Sequence, residues 1–471
     1  MTAPRVQVRA IDLFERSTPL RIPFKFGAST LTQAPQVFVR AEVEIDGKPA
    51  IGQSAELLAP KWFDKNPALT NEQNFDQLRA SLGGARRLFR DHGEASSAFA
   101  LHAAVYPTHY AEAAEAGLNG LIASYGMALI DRAVLDALCR TRGVSIFNAM
   151  RTNLPGMTAA LTPDLTASEL GAFLATRRLP ASIWARHTVG MTDPLTDGEI
   201  AAPLNDGLPQ SLEAVIAAYG NRYFKIKVGA DSEASVAQLV RIAAILDHSG
   251  MDYRVTMDGN EQFTETAHLA GLFDRIAATA ELRRLWASTL FVEQPIARDR
   301  ALSEPVHALA RIKPLVIDES DADLEVFPRA HSLGYAGISA KTCKGVYRAL
   351  INATRAATWN ATDAACFVTA EDLTVQPGIA LQHSLSLAVL VGAEHVEVNG
   401  HHFVGGFAGA SPAEQARFAA AHPDLYRLEG DQARVRISDG RIALASLDVP
   451  GFGVGCDPNW GTMQPMAAPD V

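Results

Sequence analysis

Short-range alternation of hydrophobic and polar residues marks the first part of the chain. The runs RVQVRAIDLFE and QVFVRAEVEIDGKPAIGQSAE alternate, which predicts antiparallel strands and a hairpin that turns near Asp46 and Gly47. From residue 71 to residue 143 the spacing becomes helical, as in GMALIDRAVLDALCRTRG, where Gly143 is placed to end a helix. We therefore predict an α+β domain over residues 1–150.

A different pattern begins near Ser182, where short apolar runs alternate with helix-like segments. Eight runs are typical of β-strands: SIWARHTV, RYFKIKVG, YRVTMD, TLFVE, PLVID, AGISAK, AACFVT and EHVEV. This alternation indicates the α/β class, and we predict a (β/α)8-type TIM barrel over residues 151–400. A doubly wound open sheet would give a similar alternation, although no GxGxxG turn follows an early strand. Residues 401–471 return to strands and turns, and we expect them to pack back on the N-terminal domain.

Composition and charge narrow the function classes. The 471 residues carry 42 basic and 52 acidic side chains, a net charge of −10. This balance argues against nucleic acid or an anionic membrane surface as a partner. The four cysteines include no CxxC pair, so we expect reduced thiols rather than a zinc site or disulfides. With no signal peptide or transmembrane run visible, these features predict a cytoplasmic enzyme that acts on a small molecule.

Charged residues stand on or directly after successive strands of the predicted barrel. In chain order they are Lys225 and Lys227 on the second strand, Asp258, Glu293 and Asp318 after the third to fifth, Lys341 after the sixth, and Glu397 and Asn399 on the eighth. A single acid in such a place is typical of a loop or a helix cap, and two lysines on one strand face are typical of a solvated surface. Three acids that converge at one rim, however, repel each other unless a cation is bound. Three carboxylates that leave room for water and substrate suit Mg²⁺, with Mn²⁺ as a substitute.

The lysines complete a recognisable chemistry around such an ion. A proton beside a carboxylate is weakly acidic, because its removal builds a dianionic enediolate that Mg²⁺ can stabilise. A lysine close to Mg²⁺ and to a second cation has its charged form disfavoured, so its pKa falls towards that of a useful base. Lys227 and Lys341 would lie on opposite sides of the ion. One could then remove a proton and the other return it.

The residues at this point resemble a known family. KIKVG, MDGN, VEQP, IDES and SAKTCKG stand in the order found in the enolase superfamily, and the chain is similar to its muconate-lactonizing subgroup. DGKPAIGQSAE, ALIDRAVLDAL and VPGFGVGCD likewise resemble the N-terminal hairpin, the helix before the barrel and the closing segment. The resemblance implies a TIM barrel with an N-terminal capping domain completed by the C-terminal tail. It also implies a small carboxylate substrate and a homo-oligomer.

The resemblance also implies a role for each strand-end residue. Asp258, Glu293 and Asp318 would bind the metal, and Lys227 and Lys341 would be the two acid/base groups. Lys225 would neutralise the substrate carboxylate and tune Lys227. Three further residues lie beside this set: Lys344, expected to be solvated near the next helix start, and Asn260 and Glu319, expected to support the metal ligands or cap helices.

Several departures from the family pattern bear on the substrate. VTAEDLTVQ has no histidine after the seventh strand, unlike mandelate-racemase-like enzymes, and His383 is expected on the following helix. Glu397-Val-Asn399 replaces the Asp-x-Asp of dipeptide epimerases, which argues against a dipeptide. The interval from Asp258 to Glu293 is longer than usual and indicates an insertion around residues 281–286.

Two segments of the N-terminal domain, STPLRIPFKFGAST and ELLAPKWFDK, resemble the family's capping loops. The resemblance makes five of their side chains candidates for substrate contact, with ordinary packing as the alternative: Arg21, Lys25, Phe26, Trp62 and Phe63.

The sequence therefore predicts an Mg²⁺-dependent enzyme that removes a proton α to a carboxylate, with a racemase or epimerase of a small carboxylate or amino-acid derivative favoured. A cycloisomerase or a dehydratase could use the same residues. A Schiff-base aldolase with a lysine nucleophile is a further alternative, and it would leave the three acids without a task. A binding protein without catalysis is another, and the full acid/base set argues against it.

Overall fold

The N-terminal part of the chain is an antiparallel sheet covered by long helices. A computed structural model describes residues 3–26, 29–362 and 364–469, without the side chains of residues 25, 26 and 29. The elements are, in chain order, β1 (Val6–Phe26), β2 (Ser29–Ile45), β3 (Lys48–Leu57), α1 (Asn71–Asp91), β4 (Glu94–Ala95), α2 (Ala98–Glu115), α3 (Gly120–Arg142) and α4 (Ile146–Arg151). Strands β1 to β3 are consecutive antiparallel neighbours. Asp46 and Gly47, both at positive φ, form the turn where the sequence predicts it.

Helix α3 is the centre of this part. It is apolar on nearly every side, because it is packed between the sheet and the helices α1 and α2. The Asn119 side chain caps its first turn, and Gly143, at φ 64°, ends it as predicted. The buried carboxylate of Asp136 accepts the backbone N–H groups of Gln53 and Phe452. Helix α3 thereby ties β3 to the C-terminal segment.

Eight parallel strands close into a barrel, which confirms the predicted fold class. The strands are β5 (Ser182–Val189), β6 (Tyr223–Lys227), β7 (Arg254–Asp258), β8 (Thr289–Glu293), β9 (Leu315–Ile317), β10 (Gly337–Ala340), β11 (Phe367–Glu371) and β12 (His395–Glu397). Each pairs with the next, and β12 pairs with β5. The helices among them are α5 (Ala167–Ala175), α6 (Leu212–Tyr219), α7 (Ser232–His248), α8 (Thr266–Ala278), α9 (Arg283–Ser288), α10 (His307–Ala310), α11 (Val326–Ser332), α12 (Val346–Asn360) and α13 (Ile379–Val391).

The strand register aligns the charged residues at one rim. Lys227 pairs with Asp258, and Asp258 pairs with Glu293, on three neighbouring strands. Farther round the rim, Glu371 at the end of β11 pairs with Glu397 at the end of β12. Because all the strands are parallel, their carboxyl ends meet at the same mouth of the barrel. Residues far apart in sequence therefore converge there.

The segment around residues 281–286, predicted to be an insertion, lies away from this rim. Its residues form a 3₁₀ turn and helix α9, which directly precede the amino end of β8. Trp286 packs on Phe273 of α8, and Arg284 binds Asp247 and a backbone carbonyl. The insertion therefore extends the amino end of the barrel.

The C-terminal segment contacts both the barrel and the N-terminal sheet. Its elements are α14 (Gly400–Phe403), α15 (Pro412–Ala421), β13 (Tyr426–Glu429), β14 (Gln432–Val435), β15 (Arg441–Ala443) and β16 (Gln464–Pro465). Strand β15 pairs antiparallel with β5, and β16 pairs antiparallel with β1. None of the helices in the described ranges combines the length and the apolar composition that crossing a membrane requires.

Candidate active site

Lys225 occupies the middle of the barrel mouth. Its buried Nζ lies 2.8–3.0 Å from one oxygen of each of four carboxylates, those of Asp258, Glu293, Glu371 and Glu397. Burial disfavours the charged form of this lysine, but the four acids outweigh burial and raise its pKa well above the ordinary value. Lys225 therefore remains an ammonium ion in the protein without metal.

Lys227 lies nearer the solvent on the same strand face. Its side chain keeps 21% of its exposure, and its Nζ lies 2.6 Å from Oδ2 of Asp258. The intervening Ile226 is fully buried on the opposite face of β6. The two lysines therefore face the barrel interior, and the solvated face typical of such a strand is absent.

The three acids predicted as metal ligands are all buried at the rim. Asp258 bonds both lysines of β6, which overcome burial and lower its pKa. Glu293 differs, because burial and the neighbouring Glu371 raise its pKa well above the ordinary range despite Lys225. Lys341 and Lys344 overcome burial at Asp318 and lower its pKa.

The carboxylates fit a hard divalent cation. Glu293, Asp318 and Glu371 each offer an oxygen, and these oxygens lie within 4.8 Å of one another. Oε2 of Glu293 is buried and has no hydrogen-bond partner within the described part of the chain. Asp258 lies outside this group, although it is the register partner of Glu293. An all-oxygen donor set with an unpartnered oxygen suits Mg²⁺ better than a softer metal.

Lys341 approaches the acids from the far side of the barrel. It follows β10, four strands from β6, and its Nζ lies 2.9 Å from Oδ2 of Asp318. The same Nζ bonds Glu371. Burial opposes the charge on Lys341, but Asp318 and Glu371 prevail and raise its pKa well above the ordinary value.

Lys344 is buried, which corrects the expectation of a solvated side chain. Its Nζ donates to the backbone carbonyls of Asp318 (2.8 Å) and Ser339 (2.7 Å) and lies 2.9 Å from Oδ1 of Asp318. It lies in a 3₁₀ turn close after β10, where its side chain is shielded from solvent. Lys344 therefore helps to fix the Asp318 carboxylate.

Two residues of the site escaped the sequence analysis. Glu371 ends β11 and bonds both Lys225 and Lys341, and Arg186 on β5 bonds Glu371. The rule applied to the other strands, an acid at the end of an apolar run, would have found Glu371 in VTAED. The sequence has no such signal for Arg186, because it stands in the middle of a strand. Only its complete burial in the folded structure sets it apart from a surface arginine.

Four supporting candidates lie at the rim. The Asn260 amide donates to Glu319 at 3.1 Å, and burial raises the pKa of Glu319 to about 7. The Asn399 amide donates to Glu397 at 2.6 Å, and the backbone N–H of Asn399 is held by Asp372. Asn260, Glu397 and Asn399 line the cavity above the acids.

The capping candidates divide into residues inside and outside the cavity. Trp62 lines it, with its ring 5.1 Å from the Nζ of Lys341. Arg21 lines a separate cleft of about 370 Å³, where it binds Asp206 and the carbonyls of Leu208 and His402. Phe63 is buried against Trp62 and outside the cavity. The side chains of Lys25 and Phe26 lie outside the described residues.

The histidines His383, His401 and His402 do not line the cavity. His383 is buried on α13, as expected, beside Arg132 of α3. His401 and His402 lie on α14, where they contact the ring of His187.

The cavity between the barrel and the cap has two unlike walls. The barrel supplies the charged residues, whereas the cap supplies an apolar wall of Phe24, Leu31, Leu57, Ala59 and Trp62. The cavity volume is about 80 Å³, below the roughly 300 Å³ of the smallest typical ligand pockets. The cavity is therefore narrow, charged on its barrel side and apolar on its cap side.

Residues 207–460 match the family model described as enolase C-terminal domain-like. No curated protein sequence matches the chain.

Solved structures share the fold over nearly the whole chain. An N-succinyl Arg/Lys racemase from Bacillus cereus is 17% identical with a TM-score of 0.61, over 97% of this chain and 96% of that one. A muconate lactonizing enzyme from Pseudomonas fluorescens, complexed with muconolactone, is 14% identical with a TM-score of 0.58, over 97% and 98%. An enolase from Bradyrhizobium, complexed with magnesium and mandelic acid, is 15% identical with a TM-score of 0.60, over 98% of each chain.

Proposed function

The chain belongs to the enolase superfamily and is an enzyme of its isomerase and lyase group, and from this premise we propose that it removes the proton α to the carboxylate of a small acid. The observation that carries the proposal is the placement of two lysines on opposite sides of one carboxylate cluster. Lys227 bonds Asp258 on one side, and Lys341 bonds Asp318 on the other. An enediolate between them has a proton donor on each face.

Different residues of the rim would then bind the metal, bind the substrate and support the metal ligands. Asp258, Glu293 and Asp318 would hold Mg²⁺, or Mn²⁺ in its place. The bound ion supplies positive charge that stabilises the enediolate. Lys225 keeps its charge and would bind the substrate carboxylate. Asn260 and Glu319 would support the metal ligands, and Glu397 and Asn399 would line the substrate cavity.

A racemase or epimerase is the outcome that best uses both lysines. For one stereoisomer Lys227 would take the α-proton and Lys341 would return one to the opposite face, and for the other isomer the roles are reversed. The apolar wall of the cap and the small cavity favour a carboxylate or an amino-acid derivative with a short apolar substituent. An N-succinyl Arg/Lys racemase among the similar structures supports racemisation as the outcome.

The same site could serve a cycloisomerase or a dehydratase, and a muconate lactonizing enzyme is also among the similar structures. The Schiff-base aldolase has less support. A Schiff-base enzyme needs no metal, so the buried acids Asp258, Glu293 and Asp318 would have no task in it.

Incubation with a panel of carboxylic acids in D₂O with Mg²⁺ tests the proposal. We expect deuterium at the α-carbon of at least one acid, observed by NMR, and chiral chromatography should show both stereoisomers. A new double bond or lactone would instead identify a dehydratase or a cycloisomerase. Borohydride trapping of a substrate on a lysine, with no α-exchange, would favour the aldolase.

Substitutions of the two lysines sharpen this test. Lys341→Met should retain exchange on one face while its racemisation falls about 10³-fold, because general acid–base groups contribute 10²–10⁴-fold. Lys227→Met should show the complementary face preference. Lys48→Met, at the exposed first residue of β3, is the matched control. Equal racemisation by all variants, or no exchange with any acid by the Mg²⁺-loaded wild type, would refute the proposed function.

A further inference from the structure

Glu371 connects the two sides of the proposed site. One oxygen, Oε2, accepts hydrogen bonds from Nζ of Lys225, at 2.9 Å, and from Nζ of Lys341. These lysines stand on or after β6 and β10, four strands apart in the closed barrel. A single buried carboxylate oxygen is therefore shared by two lysines that reach it from opposite sides.

The other oxygen of Glu371 is held by Arg186. Nη2 of Arg186 donates to Oε1 at 3.1 Å, and both side chains are fully buried. Nη1 of Arg186 is itself fixed by Oγ1 of Thr369 at 3.0 Å and Nδ1 of His395 at 2.8 Å. Arginine is suited to this task because its planar guanidinium holds several partners in fixed directions. The carboxylate of Glu371 cannot turn without breaking this anchor.

These contacts distinguish Glu371 from Glu293. Both oxygens of Glu371 are engaged by cations, Oε1 by Arg186 and Oε2 by Lys225 and Lys341. Oε2 of Glu293, in contrast, has no partner within the described part of the chain. Of these two carboxylates, Glu371 is the one that already holds lysines, and Glu293 is the one with an oxygen open to an ion.

A lysine that transfers protons needs such a holder. Its ammonium group is a point charge on a flexible four-carbon chain, and fixing that chain costs roughly 2 kcal/mol of rotamer entropy. A displacement of about 1 Å from the reactive geometry can lower a rate about 10²-fold. Within the described structure, Asp318 and Glu371 are the only carboxylates within bonding distance of the Lys341 Nζ. If Asp318 binds the ion, Glu371 is the one left to hold the lysine.

We propose that Glu371, anchored by Arg186, is a positioning residue that holds Nζ of Lys341 and Nζ of Lys225 in the geometry for proton transfer. The inference rests on the proposed function for its catalytic consequence. Its structural consequence is the position of the two ammonium groups, which can be observed without substrate.

The test compares Glu371→Gln with wild type in the Mg²⁺-loaded protein. The amide keeps the size of the side chain but removes the negative charge shared by the lysines. We expect kcat to fall about 10²-fold, with KM within about threefold, and Glu371→Asp to recover part of kcat. Arg186→Met should lower kcat in the same direction. Mg²⁺ affinity, measured by calorimetry, should stay within about threefold of wild type.

Glu414→Gln is the matched control. Glu414 is also a buried acid bonded to an arginine, Arg16, but it lies in the C-terminal segment away from the rim. Its variant should keep the wild-type kcat, which shows that loss of a buried acid–arginine pair is not itself the cause.

Two results would overturn the proposal. One is a kcat of Glu371→Gln within threefold of wild type. The other is Mg²⁺ binding weakened tenfold or more, with kcat restored at saturating Mg²⁺, since Glu371 would then be a metal ligand.

A crystal structure of the Mg²⁺-loaded Glu371→Gln protein separates this proposal from the proposed function. We expect Nζ of Lys341 to move by more than about 1 Å, a displacement large enough to affect catalysis. Unmoved lysines would refute the positioning role alone. Absence of α-exchange in the wild type would refute the proposed function, whereas displaced lysines would still support the holding role of Glu371.

Discussion

At the scale of single residues, neighbours decide what a charged side chain does. A lysine buried alone loses its charge, yet Lys225 keeps it because four carboxylates surround its Nζ. Lys344 is enclosed in another way, since two backbone carbonyls and a carboxylate replace the water expected around its Nζ. The sequence pattern identified the acids at strand ends, but it does not specify which groups surround a buried lysine.

His401 gives a pH dependence that belongs to this scale. It is buried, and burial outweighs a backbone hydrogen bond at Val398 and lowers its pKa to about 4. Below pH 6.5 the unfolded chain binds a proton that the folded protein refuses, so stability falls as the pH drops towards 4. At pH 5 this single group should cost about 2 kcal/mol.

His401→Phe should therefore lose less stability between pH 7 and pH 5 than wild type does. Urea unfolding at the two pH values measures the difference. An identical loss in both proteins would contradict the assignment of this pH dependence to His401.

At the scale of elements, β1 is anchored to the barrel near the place where it reaches the cavity. Arg21, near the end of β1, binds Asp206, the backbone carbonyls of Leu208 and Pro209 before α6, and the backbone carbonyl of His402 on α14. Phe24 follows on the same strand and lines the cavity. The sequence pointed to Arg21 as a substrate contact. The structure places it as a clamp instead, because all three nitrogens of its guanidinium already donate to protein acceptors.

Arg21→Met should loosen this clamp. The substitution leaves the backbone carbonyls of Leu208, Pro209 and His402 without their donor. The free energy of unfolding should therefore fall by about 2 kcal/mol. KM should rise several-fold with a smaller change in kcat, because the apolar wall near Phe24 loses its fixed position. Arg9→Met, on the same strand but in an exposed pair with Glu44, is the control. An unchanged KM in Arg21→Met would count against the clamp.

At the scale of the whole molecule, the site is assembled from parts that meet only in the folded chain. The barrel supplies the charged rim, the N-terminal sheet supplies the apolar wall, and β16 of the C-terminal segment extends that sheet. The rim crowds acids around the lysines, and Glu293 responds with a raised pKa caused by burial and Glu371. A bound divalent ion would relieve this crowding.

Mg²⁺ should therefore stabilise the native protein. An ion that binds only the folded state adds about 2.7 kcal/mol at 100 times its Kd, so Tm should rise with Mg²⁺ concentration. Scanning calorimetry in Mg²⁺ and in NaCl of equal ionic strength measures the specific effect. Glu293→Ala should lose the rise, and Glu414→Gln should retain it. An equal rise in NaCl would show that general screening, rather than the rim, is responsible.

The sequence alone determined the fold and the order of the strand-end residues. Apolar runs with period two and helical segments depend on local physics, so each of the eight barrel strands lies where the pattern predicted it. The acids and lysines at their ends followed from the same rule, and their metal-binding and catalytic roles stay predictions. Glu371 could have been found in this way, whereas Arg186 could not.

Only the tertiary structure decided which of these groups touch. The sharing of Glu371 by Lys225 and Lys341, the burial of Lys344 and the clamp at Arg21 all depend on closure of the barrel and docking of the cap. The strands involved are separated by long stretches of chain, so no local pattern carries their distances. FKIKVG thus reads as a surface strand by itself and as the centre of the site once β12 pairs with β5.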